Sequence, residues 1–177
     1  YQLLAAFLRE SGKANEAARL CLKEAESPDE KQRTAALVLA LGMSGELDSP
    51  TEAEVERAVR AALERNGQSL PLLKATAERA LRNGEVDDAL ALYTRCLKAE
   101  PKNASLMNNL AIALSRKNRH QDAVEQINRA IDLAGPKLEL LDSKGLILMQ
   151  AGDLNQAIEL LMKVSSDGLA TPNYFLH

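Results

Sequence analysis

Apolar residues in the second half of this chain recur with a period of 34, and that period leaves few folds open. The clearest copy spans residues 104–135. Within it, Ala123, Val124, Ile127, Ala130 and Ile131 share one side of a helix of 3.6 residues per turn. Met107, Leu110, Ala111 and Leu114 do the same a little earlier. Arg116 to Gln121, between the two sets, contains no apolar residue and must face water. Two amphipathic helices joined by a short polar turn make an antiparallel helical hairpin.

The same hairpin returns on either side. Stepping back by one period turns Ala123 into Ala89, Ile127 into Tyr93 and Ala130 into Cys96. Stepping forward gives Ala157, Leu161 and Val164. An alanine opens the second helix each time, because a larger side chain there would push the two helices apart. Gly84, Asn118 and Gly152 share one register position just past the first helix. Glycine and asparagine tolerate the left-handed conformation that ends a helix.

These features resemble the tetratricopeptide repeat, whose units are 34 residues long. The resemblance rests on a small residue in the first helix (Ala77, Ala111, Gly145) and on the alanine opening the second (Ala89, Ala123, Ala157). A proline closes the unit at Pro101, one place late at Pro136 and three places late at Pro172. Aliphatic residues replace most of the family's aromatic ones, with Tyr93 kept. The resemblance implies an all-α fold, a right-handed superhelical solenoid of antiparallel helix hairpins, read here as one domain over residues 1–177. Its units are about 1–26, 27–68 (divergent), 69–103, 104–137 and 138–171, with 172–177 opening a further helix. The alanine- and arginine-rich texture is similar to that of bacterial multi-repeat proteins.

In the divergent part, Ser27, Pro28 and Glu30 read as the start of a helix, with serine as its cap. Thr51 and Glu54 read as a second capping box, with Ala58 as the counterpart of Ala17. On that alignment the inner turn, Met43–Pro50, carries a seven-residue enlargement, read as a tolerated surface bulge. Asn66 and Gly67 close the following helix.

Composition excludes several classes. A net charge of −3 gives no attraction to nucleic acid or anionic lipid. No run of 18 apolar residues exists to insert in a membrane. No basic-then-apolar leader begins the chain, which leaves the cytoplasm as the default compartment. The chain begins in mid-helix at Tyr1 and stops one turn into another, so both ends read as cut from a longer repeat protein. A leader upstream would place it in a bacterial periplasm or envelope. Apolar residues at the ends, Tyr1–Leu8 and Tyr174–Leu176, are expected to support self-association.

Chemistry is hard to find. The two histidines, His120 and His177, stand alone, and HExxH, GxSxG and phosphate-loop patterns are missing. Cys21 and Cys96 fall on apolar helix faces and read as small buried hydrophobes. No metal, cofactor or catalytic set is expected. Asn103, although in a glycosylation triplet, reads as a helix cap.

Binding remains. The resemblance implies that first helices line a concave groove that takes a peptide segment of a partner protein. The candidates are Lys74, Glu78 and Arg82 in the third unit, and Asn108, Asn109, Ile112 and Arg116 in the fourth. Glu139, Asp142, Ser143, Leu146, Met149 and Gln150 follow in the fifth. Lys74 and Asn109 match the family's dicarboxylate clamp, but Glu78, Glu139 and Ser143 replace its other residues, and Glu139 repels a carboxylate. The expected function is a non-enzymatic protein-interaction scaffold. The alternative is a regulatory or substrate-docking segment of an enzyme whose catalytic domain lies elsewhere.

Overall fold

A computed structural model describes residues 1–166, and these form ten α-helices without a strand. Two compact units divide the chain at Glu85/Val86. The first holds α1 (Gln2–Glu10), α2 (Ala14–Glu24), α3 (Glu30–Leu41), α4 (Ser49–Arg65) and α5 (Leu70–Arg82). The second holds α6 (Val86–Ala99), α7 (Ala104–Arg116), α8 (His120–Ala134), α9 (Leu138–Gln150) and α10 (Leu154–Ser166). The helix expected at 172–177, Pro172 and the pairing surface Tyr174–Leu176 lie outside the described residues.

Four helices end in the same way. The N–H groups of Lys13, Glu85, Arg119 and Asp153 reach back to the carbonyls of Leu8, Ala80, Leu114 and Leu148 at 2.8–2.9 Å. One residue before each donor sits Gly12, Gly84, Asn118 or Gly152, with φ of 74°, 81°, 59° and 81°. Such a left-handed residue turns the chain so that a terminal carbonyl is captured instead of being left bare. The following helix then starts within two or three residues. Asn118 is the one side chain among them that bears a Cβ in this conformation, as the register position requires.

In the second unit α7 packs on α8 and α9 on α10, and α8 also packs on α9. Ala111, Ala123, Ala130 and Ile127 are fully buried where α7 and α8 meet, joined by Met107, Leu114, Leu140 and Ile147. Burial of Ala89, Ala123 and Ala157 bears out the alanine at each second-helix start. In α9 the corresponding small residue is Gly145, and a Cβ built there would rest 3.8 Å from Leu161 Cδ2. That is ordinary van der Waals contact.

The first unit departs from the expected details. Asp29, not Ser27, caps α3, its carboxylate accepting from Lys31 N at 2.9 Å. Ser27 Oγ is used instead by Asp29 N at 3.3 Å and Gln32. Asp48, not Thr51, caps α4, accepting from Thr51 N at 2.9 Å. In both cases a carboxylate, the stronger acceptor, takes the cap. Thr51 is fully buried and touches Arg19, and it lies 34 residues after Ala17. It therefore fills the small-residue place, while Ala58 is only half-buried. The turn at 42–48 is longer than the one at 11–13, as expected, but by four residues and not seven, and α4 also runs on at its far end, 17 residues against 11 in α2.

The turn before α4 is no loose bulge. Met43 is buried in the core, Arg9 Nε holds Glu46 at 3.1 Å, and Asp48 N–H donates to Asn15 Oδ1 at 2.9 Å. Gly45 takes φ of 91° there. Asn66 ends α4 with φ of −139°, outside the left-handed region, and its side-chain amide donates to Glu30. α3 buries Ala36, Leu37, Ala40 and Leu41 among α2, α4 and α5, as its apolar girth implies. Arg79 joins α5 to Glu52 and Glu56 of α4. Cys21 and Cys96 are both fully buried, and desolvation pushes the Cys21 thiol up to about 11.

Three outcomes follow from these contacts. Gly145→Ala should stabilise the second unit by about 0.5–1 kcal/mol, because helix-interior glycine is entropically costly and the methyl finds space. Asn118→Val should cost about 1–2 kcal/mol at its left-handed φ, while Asn118→Gly should stay near neutral. Urea unfolding midpoints of the three variants decide both points. The Asp48 carboxyl is held below its ordinary value by hydrogen bonds from Thr51, and Glu46 below its own by Arg9. Their stabilisation is complete above the usual carboxylate range and is lost as pH falls through the depressed values. Asp48→Asn should therefore flatten the acid side of the melting-temperature profile and leave its neutral-to-alkaline shape unchanged.

Candidate interaction surface

The phase of α7 is set at its first residue. Asn103 Oδ1 accepts from Leu106 N at 3.0 Å, so the asparagine is a cap, as expected. With Leu106, Met107, Ala111, Ala113 and Leu114 turned inward, the outward positions are Ser105, Asn108, Asn109, Ile112 and Arg116. Ser105 and Arg116 are exposed, and the two asparagines and Ile112 are half-buried. α9 packs beside α7 and buries Leu140, Leu141, Gly145, Ile147 and Leu148. That leaves Glu139, Asp142, Ser143, Leu146 and Met149 on its outer side. Leu146 is 49% and Met149 51% exposed, two large apolar side chains three residues apart on one helix face.

The two amides of α7 have hydrogen-bonding capacity to spare. Asn108 Nδ2 approaches Asn109 Oδ1 at 3.5 Å, a long and weak bond. Asn108 Oδ1 is buried and meets no donor among the described residues. Ser115, which the register places toward the groove, is instead buried and donates to Gln150 Oε1 at 2.6 Å. Its one hydrogen is thereby committed, so His120 Nδ1, 3.3 Å away, serves as the donor to Ser115 Oγ. This chain of bonds fastens α7, α8 and the end of α9 together.

The candidates of the third and fourth units fall in two places. Asn108, Asn109, Ile112 and Arg116 lie together on α7 in the second unit. Lys74, Glu78 and Arg82 lie on α5 in the first. Lys74 is half-buried and Glu78 exposed. Arg82 Nη2 donates to the Leu41 carbonyl at 3.2 Å, at the end of α3. The guanidinium thereby satisfies a helix-terminal carbonyl with one of its nitrogens. Among the groove positions of the fifth unit, Leu146 and Met149 are the exposed large apolar residues. The signal was legible as two large apolar residues three apart on the outward phase of α9.

Helical hairpins that repeat in register and expose one face of their first helices define a helical-repeat scaffold. The tetratricopeptide repeat model matches residues 74–137, and a second model of the same description matches 138–166. The chain belongs to the tetratricopeptide repeat family. It is 38% identical over 76 residues to tetratricopeptide repeat protein 36 of Caenorhabditis elegans, a stretch covering 42% of each protein. The chain thus spans about two fifths of the length of that curated relative. Among solved structures it is similar to MamA from Desulfovibrio magneticus RS-1, with a TM-score of 0.74 and 18% identity over 94% of this chain and 92% of that one. It is equally similar to nearly identical TPR-like repeats of a putative kinesin light chain from Podosopora anserina, at a TM-score of 0.74 and 18% identity, covering 92% and 90%. The fold is that of TPR-like solenoids, and proteins of this architecture are scaffolds that bind other proteins.

Arg82→Ala should lower the stability of the first unit by about 1 kcal/mol, the net worth of one hydrogen bond to a partly exposed charge. Denaturation of the variant, compared with an Arg82→Lys control, measures this loss.

Proposed function

We propose that this chain is a non-enzymatic scaffold that holds a peptide segment of a partner protein against the outward face of α7 and α9. The observation that carries this reading is the half-buried amide of Asn109, whose oxygen takes only a long 3.5 Å contact from Asn108, together with the apolar side chains Ile112, Leu146 and Met149. An asparagine both donates and accepts, so it can clasp a peptide backbone regardless of sequence. Exposed apolar side chains next to it gain by covering those of a partner, at about 25 cal/mol per Å² removed from water. The segment is extended or helical, the two forms that grooves between helices accept. Membership of the repeat family supports the scaffold role. The particular face is supported by the side chains alone.

The test is affinity capture with the full chain as bait, followed by mass spectrometry. Captured proteins should fall about tenfold with Asn109→Ala combined with Leu146→Ser, while the melting temperature holds. Surface changes of this kind shift stability by less than about 0.5 kcal/mol. An undiminished set of captured proteins would exclude this face as the site.

A further inference from the structure

Asn66 stands before Gly67 where the chain leaves α4, at φ −139° and ψ 81°. In an asparagine–glycine pair the backbone nitrogen attacks the side-chain amide most readily, because glycine sets no side chain beside the attacking atom. The same pair recurs at Asn83–Gly84. Both asparagines are exposed, so water and base reach both. Their surroundings differ.

The amide of Asn66 ties two helices together. Its Nδ2 donates to Glu30 Oε1, on the first residue of α3, and its Oδ1 accepts from Gln68 N at 3.2 Å. A carboxylate only accepts and an N–H only donates, so these partners fix which end of the amide is which. Ring closure needs the Gly67 nitrogen on the same side of the Cα–C bond as Cβ, and at ψ of 81° the two point apart. Leu72 holds α5 in the core, so the required turn comes from residues 66–69 and takes Asn66 away from Glu30. Two of the bonds it breaks are long, at 3.2 Å from Gln68 N to the amide oxygen and from Ser69 N to the Asn66 carbonyl. At Asn83 the same motion opens the end of α5, where Glu85 N donates to the Ala80 carbonyl at 2.8 Å and Gly84 N to that of Leu81.

We propose that Asn66 is a self-modification site, at which loss of the amide turns the contact between α4 and α3 from attraction to repulsion. Base removes the proton of Gly67 N. That nitrogen bonds to Cγ, the Cγ–Nδ2 bond breaks, and Nδ2 takes up a proton from water and leaves as ammonia. A second water opens the cyclic imide at either carbonyl, giving aspartate or isoaspartate. Water enters, ammonia leaves, and nothing is oxidised or reduced. Either product carries a carboxylate in place of the amide. It cannot donate to Glu30, and two like charges then face each other. The bond to Glu30 gates the reaction, and the reaction abolishes the bond, so the latch opens one way. The α7–α9 face plays no part in this.

The full chain is kept at mildly alkaline pH, and acid against amide at each asparagine is read from peptide masses over time. Acid should form at Asn66 ahead of Asn83. Gly67→Ala should slow it about tenfold. Glu30→Ala should speed it about fivefold, the gain in open population on losing one hydrogen bond, and leave Asn83 unchanged. Glu30→Gln, whose amide oxygen still accepts from Nδ2, should keep the parent rate. Asn66→Asp should lower the melting temperature by about 3–6 °C, and adding Glu30→Gln should restore part of it, because the glutamine amide donates to the new carboxylate. Conversion of Asn83 ahead of Asn66 would overturn the proposal, as would a rate indifferent to Glu30→Ala or a rise that Asn83 shares. So would an equal melting loss from Asn66→Asp with and without Glu30→Gln.

Discussion

Three hairpins here, α1–α2, α7–α8 and α9–α10, depend on one backbone hydrogen bond, donated across a left-handed residue to a carbonyl five residues back. Helix ends leave carbonyls without partners, and a bare one in a packed structure is costly. Capturing it with the N–H beyond Gly12, Asn118 or Gly152 satisfies the helix and reverses the chain at the same point. The short reversal brings the two helices into contact within a few residues. Close approach then becomes obligatory, and only small residues such as Ala111, Ala123 and Ala130 fit at the seam. The tight turn and the alanines are two expressions of one geometric demand.

That demand explains how much was legible in the residues. The turn positions and the seam alanines repeat with the period because each copy solves the same steric problem. Both were found where the register put them, and so was the Asn103 cap. The first unit was harder to read because its substitutions are chemical equivalents, not copies. Thr51 does the work of an alanine, and its hydroxyl lies beside Arg19 in a setting where a side chain must still be small. Aspartates at 29 and 48 outcompete the serine and threonine that match a capping pattern more closely. A register judged by alanine alone slid to Ala58, and all the extra residues were placed in the turn, although part of the added length lies at the far end of the helix.

Site residues were less legible still. Outward phase is periodic, so the face of α7 could be named, yet phase does not say which polar groups are already engaged. Arg82 has the right phase, and one of its nitrogens already donates to the Leu41 carbonyl. Ser115 has the right phase but is covered by Gln150.

The cysteines have a use that their chemistry conceals. Each unit carries one thiol with no surface exposure, Cys21 in the first and Cys96 in the second. A thiol titrating near 11, as Cys21 does, supplies almost no thiolate at neutral pH, and a reagent reaches either sulfur only when its surroundings open. The chain thus holds its own pair of stopwatches, one in each half. Alkylation read by peptide mass would time the breathing of the two halves separately, and show whether they loosen as one body or as two.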